Sequence, residues 1–153
     1  VYVPRSQLLD TQGPPEASGC AFLDLGKNPI GGQGMAHLCG WLKGSALQSI
    51  RLADSPIGDT GVALLGRAIP HASYLRTVAL QRCGAREYGI RHLAHGLGRS
   101  ASMRQVWLMG NAAGSDGARH LATALQSETP CRSPTRGASR AITPARRMIT
   151  ITQ

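Results

Sequence analysis

Residues 75–97 read LRTVALQRCGAREYGIRHLAHGL, and residues 103–125 read MRQVWLMGNAAGSDGARHLATAL. Laid one on the other, Val78/Leu80 falls on Val106/Leu108, Cys83 on Asn111, Ala85 on Ala113, Gly89 on Gly117, Leu93 on Leu121 and Leu97 on Leu125. Toward the N-terminus the same columns hold Ile50/Leu52, Ser55, Ile57, Gly61, Leu65 and Ile69, and before them Leu23/Leu25, Asn28, Ile30, Gly34, Leu38 and Leu42. The four units follow one another at intervals of 27, 28 and 28 residues. Self-similarity at a fixed period of this size is the signature of a solenoid.

Each column has a physical reason. Apolar residues at i and i+2 face one side of a strand, so Leu23/Leu25 and their equivalents point into a core while Asp24, Arg51, Ala79 and Trp107 point away from it. The chain then turns with backbone polar groups in need of partners, which Asn28 and Asn111 can supply as both donor and acceptor. Ser55 and Cys83 are small substitutes in that column. The stretch Gly61–Ile69, with apolar residues every four positions, predicts a helix that buries one stripe. Asp59 and Asp116 lie at the predicted helix starts, where negative charge is favourable. One strand and one helix cannot bury both apolar faces alone, so the units are expected to stack into an α/β arc with a parallel sheet inside and helices outside.

This pattern resembles leucine-rich repeats of the ribonuclease-inhibitor type, over about residues 20–127. The departures are Cys20 and Met103 in the first leucine column, Ser55 in the Asn/Cys column, and Ala85 and Ala113, which thin the core of the last two units. The resemblance implies a leucine-rich-repeat solenoid of four repeats in residues 20–130. It is preceded by a Pro/Gly-rich segment (1–19), or the remnant of an earlier repeat, and followed by a basic tail (131–153). Neither end carries a recognisable polar cap, so the repeats are expected to belong to a longer array or a larger chain. Met148 to Thr152 alternates apolar residues with Thr. A frayed tail is the favoured expectation there, an added edge strand the alternative.

Net charge is +9, but its distribution matters more. Residues 1–130 carry twelve Lys/Arg against eight Asp/Glu, whereas 131–153 carry five arginines and no acid. The tail therefore holds more than half of the excess. No run approaches the roughly 18 apolar residues of a membrane helix, and no N-terminal signal pattern is present. Neither membrane insertion nor secretion is expected; a cytoplasmic location is, with the nucleus as the alternative, unless a leader precedes Val1. Cys20, Cys39 and Cys83 each occupy a packing column, Cys131 lies in the tail, and no C-x-x-C occurs, so reduced structural thiols are expected.

Catalytic signatures are lacking. There is no Gly-x-Ser-x-Gly elbow, no phosphate loop and no dinucleotide fingerprint after a strand. The glycine-dense Gly31-Gly32-Gln33-Gly34 is explained as a strand-to-helix turn. His37, His92 and His120 share a column interrupted by Leu64, so only the last two are neighbours; a helix surface is expected, not a metal site. The chain is expected to be no enzyme and to need no cofactor or small-molecule substrate.

The outward strand positions are not dictated by packing. They include Phe22, Asp24, Arg51, Gln81, Gln105, Trp107 and Met109, and Trp with Arg is a composition in which interface energy concentrates. The expected function is a non-catalytic protein-interaction module that binds a partner protein through this concave strand face, unless Trp107 is covered by the chain's own tail or by a further repeat. Two alternatives stand beside it. One is a regulator of an enzyme such as a small GTPase, a role found among proteins the repeats resemble. The other is binding of nucleic acid or an acidic surface by the tail, whose arginines have no interleaved aromatics for base stacking.

Overall fold

The computed structural model describes residues 20–126 and 148–150. Four strand–helix units follow in order: β1 (Phe22–Asp24), α1 (Gly32–Leu42), β2 (Ser49–Arg51), α2 (Gly58–Ala68), β3 (Thr77–Ala79), α3 (Glu87–Arg99), β4 (Gln105–Trp107) and α4 (Gly114–Gln126). A 3-10 turn at Ile69–His71 closes α2, its Pro70 fitting the first turn of such an element. A fifth strand, β5 (Met148–Thr150), completes a parallel sheet of order β1-β2-β3-β4-β5.

The register of the sheet matches the period of the sequence. Phe22 pairs with Ser49, Ser49 with Thr77 and Thr77 with Gln105. Pairing continues past the three-residue strands, because Leu25, Leu52 and Leu80 donate their N–H to the carbonyls of Arg51, Ala79 and Trp107. β5 departs from the period: Met148, Ile149 and Thr150 pair with Gln105, Val106 and Trp107. The favoured expectation of a frayed tail is thus corrected for this triplet, which gains a ladder of backbone hydrogen bonds at the edge of β4. The remaining tail residues, Cys131 and the arginines included, and the N-terminal segment lie outside the described residues.

The core fills the space between sheet and helices. Ile50, Leu52, Val78, Leu80, Val106 and Leu108 from the strands meet Met35, Leu42, Leu65, Ile90, Leu93 and Leu121 from the helices, all buried. Five columns weaken at the ends of the stack. Leu23, Leu25, Ile30 and Leu38 are only partly buried, and Leu125 is exposed although its column is buried at Leu42, Ile69 and Leu97. Among the described residues α1 has α2 as its helical neighbour and α4 has α3, whereas α2 and α3 each pack between two helices. Cys20, in a leucine column by sequence, is also exposed and donates its thiol proton to the Phe22 carbonyl at 2.6 Å.

The helices touch most closely where glycine replaces a side chain. A Cβ on Gly96 would stand 1.8 Å from the Gly66 carbonyl oxygen, and one on Gly66 would stand 2.5 Å from the His92 oxygen. α2 and α3 therefore pack backbone to backbone. Asp59, on the first turn of α2, caps the next helix as well: its Oδ1 accepts from the backbone N–H of Arg86 at 2.6 Å and of Gly89 at 3.0 Å. The sequence places that carboxylate at its own helix start; stacking also puts it at its neighbour's. Asp116 pairs instead with Arg119 one turn along α4.

Between units runs a line of side-chain hydrogen bonds. Ser55 donates its hydroxyl to Leu25 O at 3.1 Å, Cys83 its thiol to Leu52 O at 3.0 Å, and Asn111 its amide to Leu80 O. Each reaches the carbonyl that ends the apolar pair of the unit before. Asn111 does most, since its Oδ1 also accepts from Cys83 N and Ala85 N and its Nδ2 also donates to Leu108 O. Among the described residues Asn28 bonds by its side chain only within its own turn, to Leu25 O and Gly26 O. Asn111→Ala is therefore expected to cost about 2–3 kcal/mol, because it strands several inter-unit groups, and Asn28→Ala about 1 kcal/mol or less. Urea unfolding followed by circular dichroism checks the difference, and equal losses would contradict the assignment.

Candidate functional site

One face of the sheet packs on the helices; the other is open. Over β1 to β4 its first row is Phe22, Ser49, Thr77 and Gln105, its second Asp24, Arg51, Ala79 and Trp107. A third row, Gly26, Ala53, Gln81 and Met109, follows two residues on, where the ladder persists through Lys27 N to Ala53 O, Asp54 N to Gln81 O and Arg82 N to Met109 O. Alternation along each strand thus spreads all seven residues singled out from the sequence over this face.

They do not form one cluster. Phe22 is 42% exposed on β1, whereas Trp107 and Met109, 39% and 42% exposed, belong to the β4 end. Asp24 and Arg51 pair across β1 and β2 at 3.6 Å. Ala79 and Ala53, outward by alternation, are nonetheless buried. In the register Ala79 sits between Arg51 and Trp107, and a methyl group between two long side chains is shaded by them.

Next to the third row lies a feature that apolar periodicity does not reveal. Lys27, Asp54, Arg82 and Gly110 form a column with φ of 60°, 59°, 51° and 70°. Left-handed backbone costs an ordinary L-residue roughly 1–2 kcal/mol and glycine almost nothing. Gly110 was the available signal: a glycine in this column marks the turn that its three non-glycine equivalents also adopt. Gly110 is needed for space too, since a Cβ there would lie 2.6 Å from Arg82 Cγ. Arg82 pairs through its Nε with Asp54 Oδ1 at 3.0 Å, so the turns of two neighbouring units are joined by charge.

These turns help to enclose a hollow of about 380 Å³ at the C-terminal ends of β2, β3 and β4. Its walls include Arg51, Asp54, Gln81, Arg82, Met109 and Gly110. Three of these, Arg51, Gln81 and Met109, were singled out by sequence; Asp54 and Arg82 were not. The Gln81 Oε1 is buried without a hydrogen-bond partner. A buried carbonyl oxygen left without a donor carries a desolvation cost of about 1–3 kcal/mol.

The histidine column lies on the other side of the molecule. His37 is exposed, and His92 and His120 are half-buried. His92 packs edge-on to Tyr88 at 4.7 Å. Burial, then the charges of Arg67, Arg91 and His95, hold its imidazole below the ordinary value. Among the described residues no group of three or more His, Cys, Asp or Glu is placed to hold a metal ion, and no helix is long and apolar enough to cross a membrane. No protein-family model matches the sequence, and no curated protein matches it.

Burial pushes the Cys39 and Cys83 thiols up from 9.0 to about 11, opposed by Lys43 at Cys39 and by a backbone hydrogen bond from Ser55 at Cys83. Their unfolded forms ionise first, so the stability they contribute is complete below pH 9.0 and lost as pH rises toward 11. Urea midpoints should fall over that window, and less steeply in Cys39→Ala. With native protein at pH 8, a thiol reagent should modify Cys20 well before Cys39 or Cys83. Peptide mapping reads that order, and prompt labelling of Cys83 would contradict its burial.

Proposed function

We propose that the chain is a short leucine-rich-repeat arc of the ribonuclease-inhibitor type that binds another protein, without catalysis, through the open face of its sheet. The repeat reading is supported by strand offsets equal to the sequence period and by the line of Ser55, Cys83 and Asn111. The binding reading is carried by Trp107. Its column holds Asp24, Arg51 and Ala79 in the other units, so the core does not call for an aromatic there. Yet an indole stands on that face with 39% of its surface exposed, close to the exposed Met109.

Phe22, Asp24, Arg51, Gln81 and Gln105 supply the rest of the proposed surface, mixing an apolar anchor with charge and amide groups. Short strands held in a ladder present these side chains with little freedom left to lose, and preorganisation lowers the cost of binding. The buried free thiols of Cys39 and Cys83 suit a reducing compartment, in keeping with a cytoplasmic or nuclear setting. No cofactor enters this reading.

Trp107→Ala is expected to leave the urea midpoint almost unchanged while weakening capture of a specific partner protein by about 2 kcal/mol or more, the cost of losing an aromatic anchor. Arg51→Ala should weaken the same capture less; Arg51→Glu is the poorer probe, because it would set two acids opposite each other at Asp24. Pull-down from a lysate, then titration calorimetry with the captured protein, makes the comparison. A large loss of stability in Trp107→Ala would mean that the indole is held by the chain itself and would remove the main support for this surface.

A further inference from the structure

We infer that the hollow between Arg51, Gln81 and Arg82 receives an acidic peptide segment of the partner: a carboxylate side chain set against the two guanidinium groups, with an adjoining backbone N–H donated to the Gln81 amide oxygen once that amide turns to face the hollow. The inference rests on the reading of the open face as a protein-binding surface and names the chemistry of what binds there.

Three observations converge on that ligand. First, Gln81 lines the hollow and its Oε1, buried and without a partner where it stands, lacks a hydrogen-bond donor that a turn of the amide toward the hollow lets a ligand supply. Second, each guanidinium makes its ion pair through a single nitrogen, Arg51 Nη1 to Asp24 at 3.6 Å and Arg82 Nε to Asp54 at 3.0 Å. A guanidinium carries five N–H donors in a planar fork suited to carboxylates, and both side chains are more than half exposed where they line the hollow. Third, Met109 adds an apolar wall, which suits the methylene groups of an acidic side chain. The volume, about 380 Å³, falls toward the lower end of the range of small-ligand clefts, roughly 300–1,000 Å³.

An aprotic inorganic anion such as sulfate answers the arginines but leaves Gln81 without a donor, and hydrogen phosphate, which has an O–H, is the competitor that the test includes. A cation would meet two guanidinium groups, and among the described residues the only carboxylate in the wall, Asp54, is already paired with one of them. A peptide carries an acidic side chain and an amide N–H within one residue, so it meets both demands together. The wider field agrees, since residues 20–126 hold eleven Lys/Arg against five Asp/Glu, and excess positive charge raises the encounter rate of acidic segments.

The test is an NMR titration of the full-length, nitrogen-15-labelled chain with N-acetyl-Ala-Glu-Ala-amide, with its glutamine counterpart N-acetyl-Ala-Gln-Ala-amide, and with inorganic phosphate. The expected result is saturable shifts at Gln81, Arg82 and Gly110 with the glutamate peptide, about tenfold weaker binding of the glutamine peptide, and a loss of about tenfold in Arg82→Gln. Gln81→Glu should weaken the glutamate peptide similarly by setting two carboxylates together, and it leaves the Asp54–Arg82 pair intact should Arg82→Gln perturb the turn. Shifts confined to residues 131–153, equal binding of both peptides, phosphate binding as tight as the glutamate peptide, or indifference to both variants would each overturn the inference. Failure of the broader reading looks different. Peptide binding in the hollow with partner capture untouched by Trp107→Ala would sink the aromatic surface and leave the hollow standing, and the reverse pattern would do the opposite.

Discussion

Buried backbone carbonyls at the ends of short strands must find donors, and the stack of units depends on how they do so. A strand of three residues forms few ladder bonds, and the chain leaves it at once for a left-handed turn. The carbonyls of Leu25, Leu52 and Leu80 would then lie near the core inadequately paired. Ser55, Cys83 and Asn111 each extend one polar group to the carbonyl of the preceding unit. A hydroxyl, a thiol and an amide share little except a donor of suitable reach. That shared geometry explains why one column admits three residue types while the flanking leucine columns are almost uniform.

Once units are tied in this way, other contacts follow from their spacing. Asp59 reaches the start of α3, and Gly66 and Gly96 let α2 and α3 meet at backbone distance. Such contacts make neighbouring units interdependent: Gly66 serves a helix that begins 21 residues later, at Glu87. The middle of the stack is accordingly its driest part. At its ends Leu23, Leu25 and Leu125 occupy core columns but have fewer groups to pack against.

The open face follows a different logic. Its rows are fixed by strand alternation, but the core does not choose what stands in them. Here the face holds two ion pairs that span adjacent strands or turns, Asp24 with Arg51 and Asp54 with Arg82. It also carries exposed aromatics toward both ends and a hollow with an unpaired amide oxygen. Exposed pairs of this kind contribute roughly 1 kcal/mol or less to stability. Their placement affects recognition more than folding, because they hold long side chains in position around the hollow.

From the sequence alone, the period of 27 to 28 residues determined the strand and helix of each unit, the inward columns and the outward rows, because alternation and helical spacing are local properties of a chain. Seven residues of the open face were legible for that reason, and so was the polar role of the column from Asn28 to Asn111. What only the tertiary structure decided lies between units. It set the second helix that Asp59 caps, the shading of Ala79 between Arg51 and Trp107, the exposure of Cys20 and Leu125, and the pairing of Met148–Thr150 with β4. The hollow is of the same kind, since Asp54 and Arg82 meet only when two left-handed turns, 28 residues apart, are brought side by side. Periodicity fixes the direction of a side chain from its own backbone; its partners and burial depend on how closely the next unit stacks.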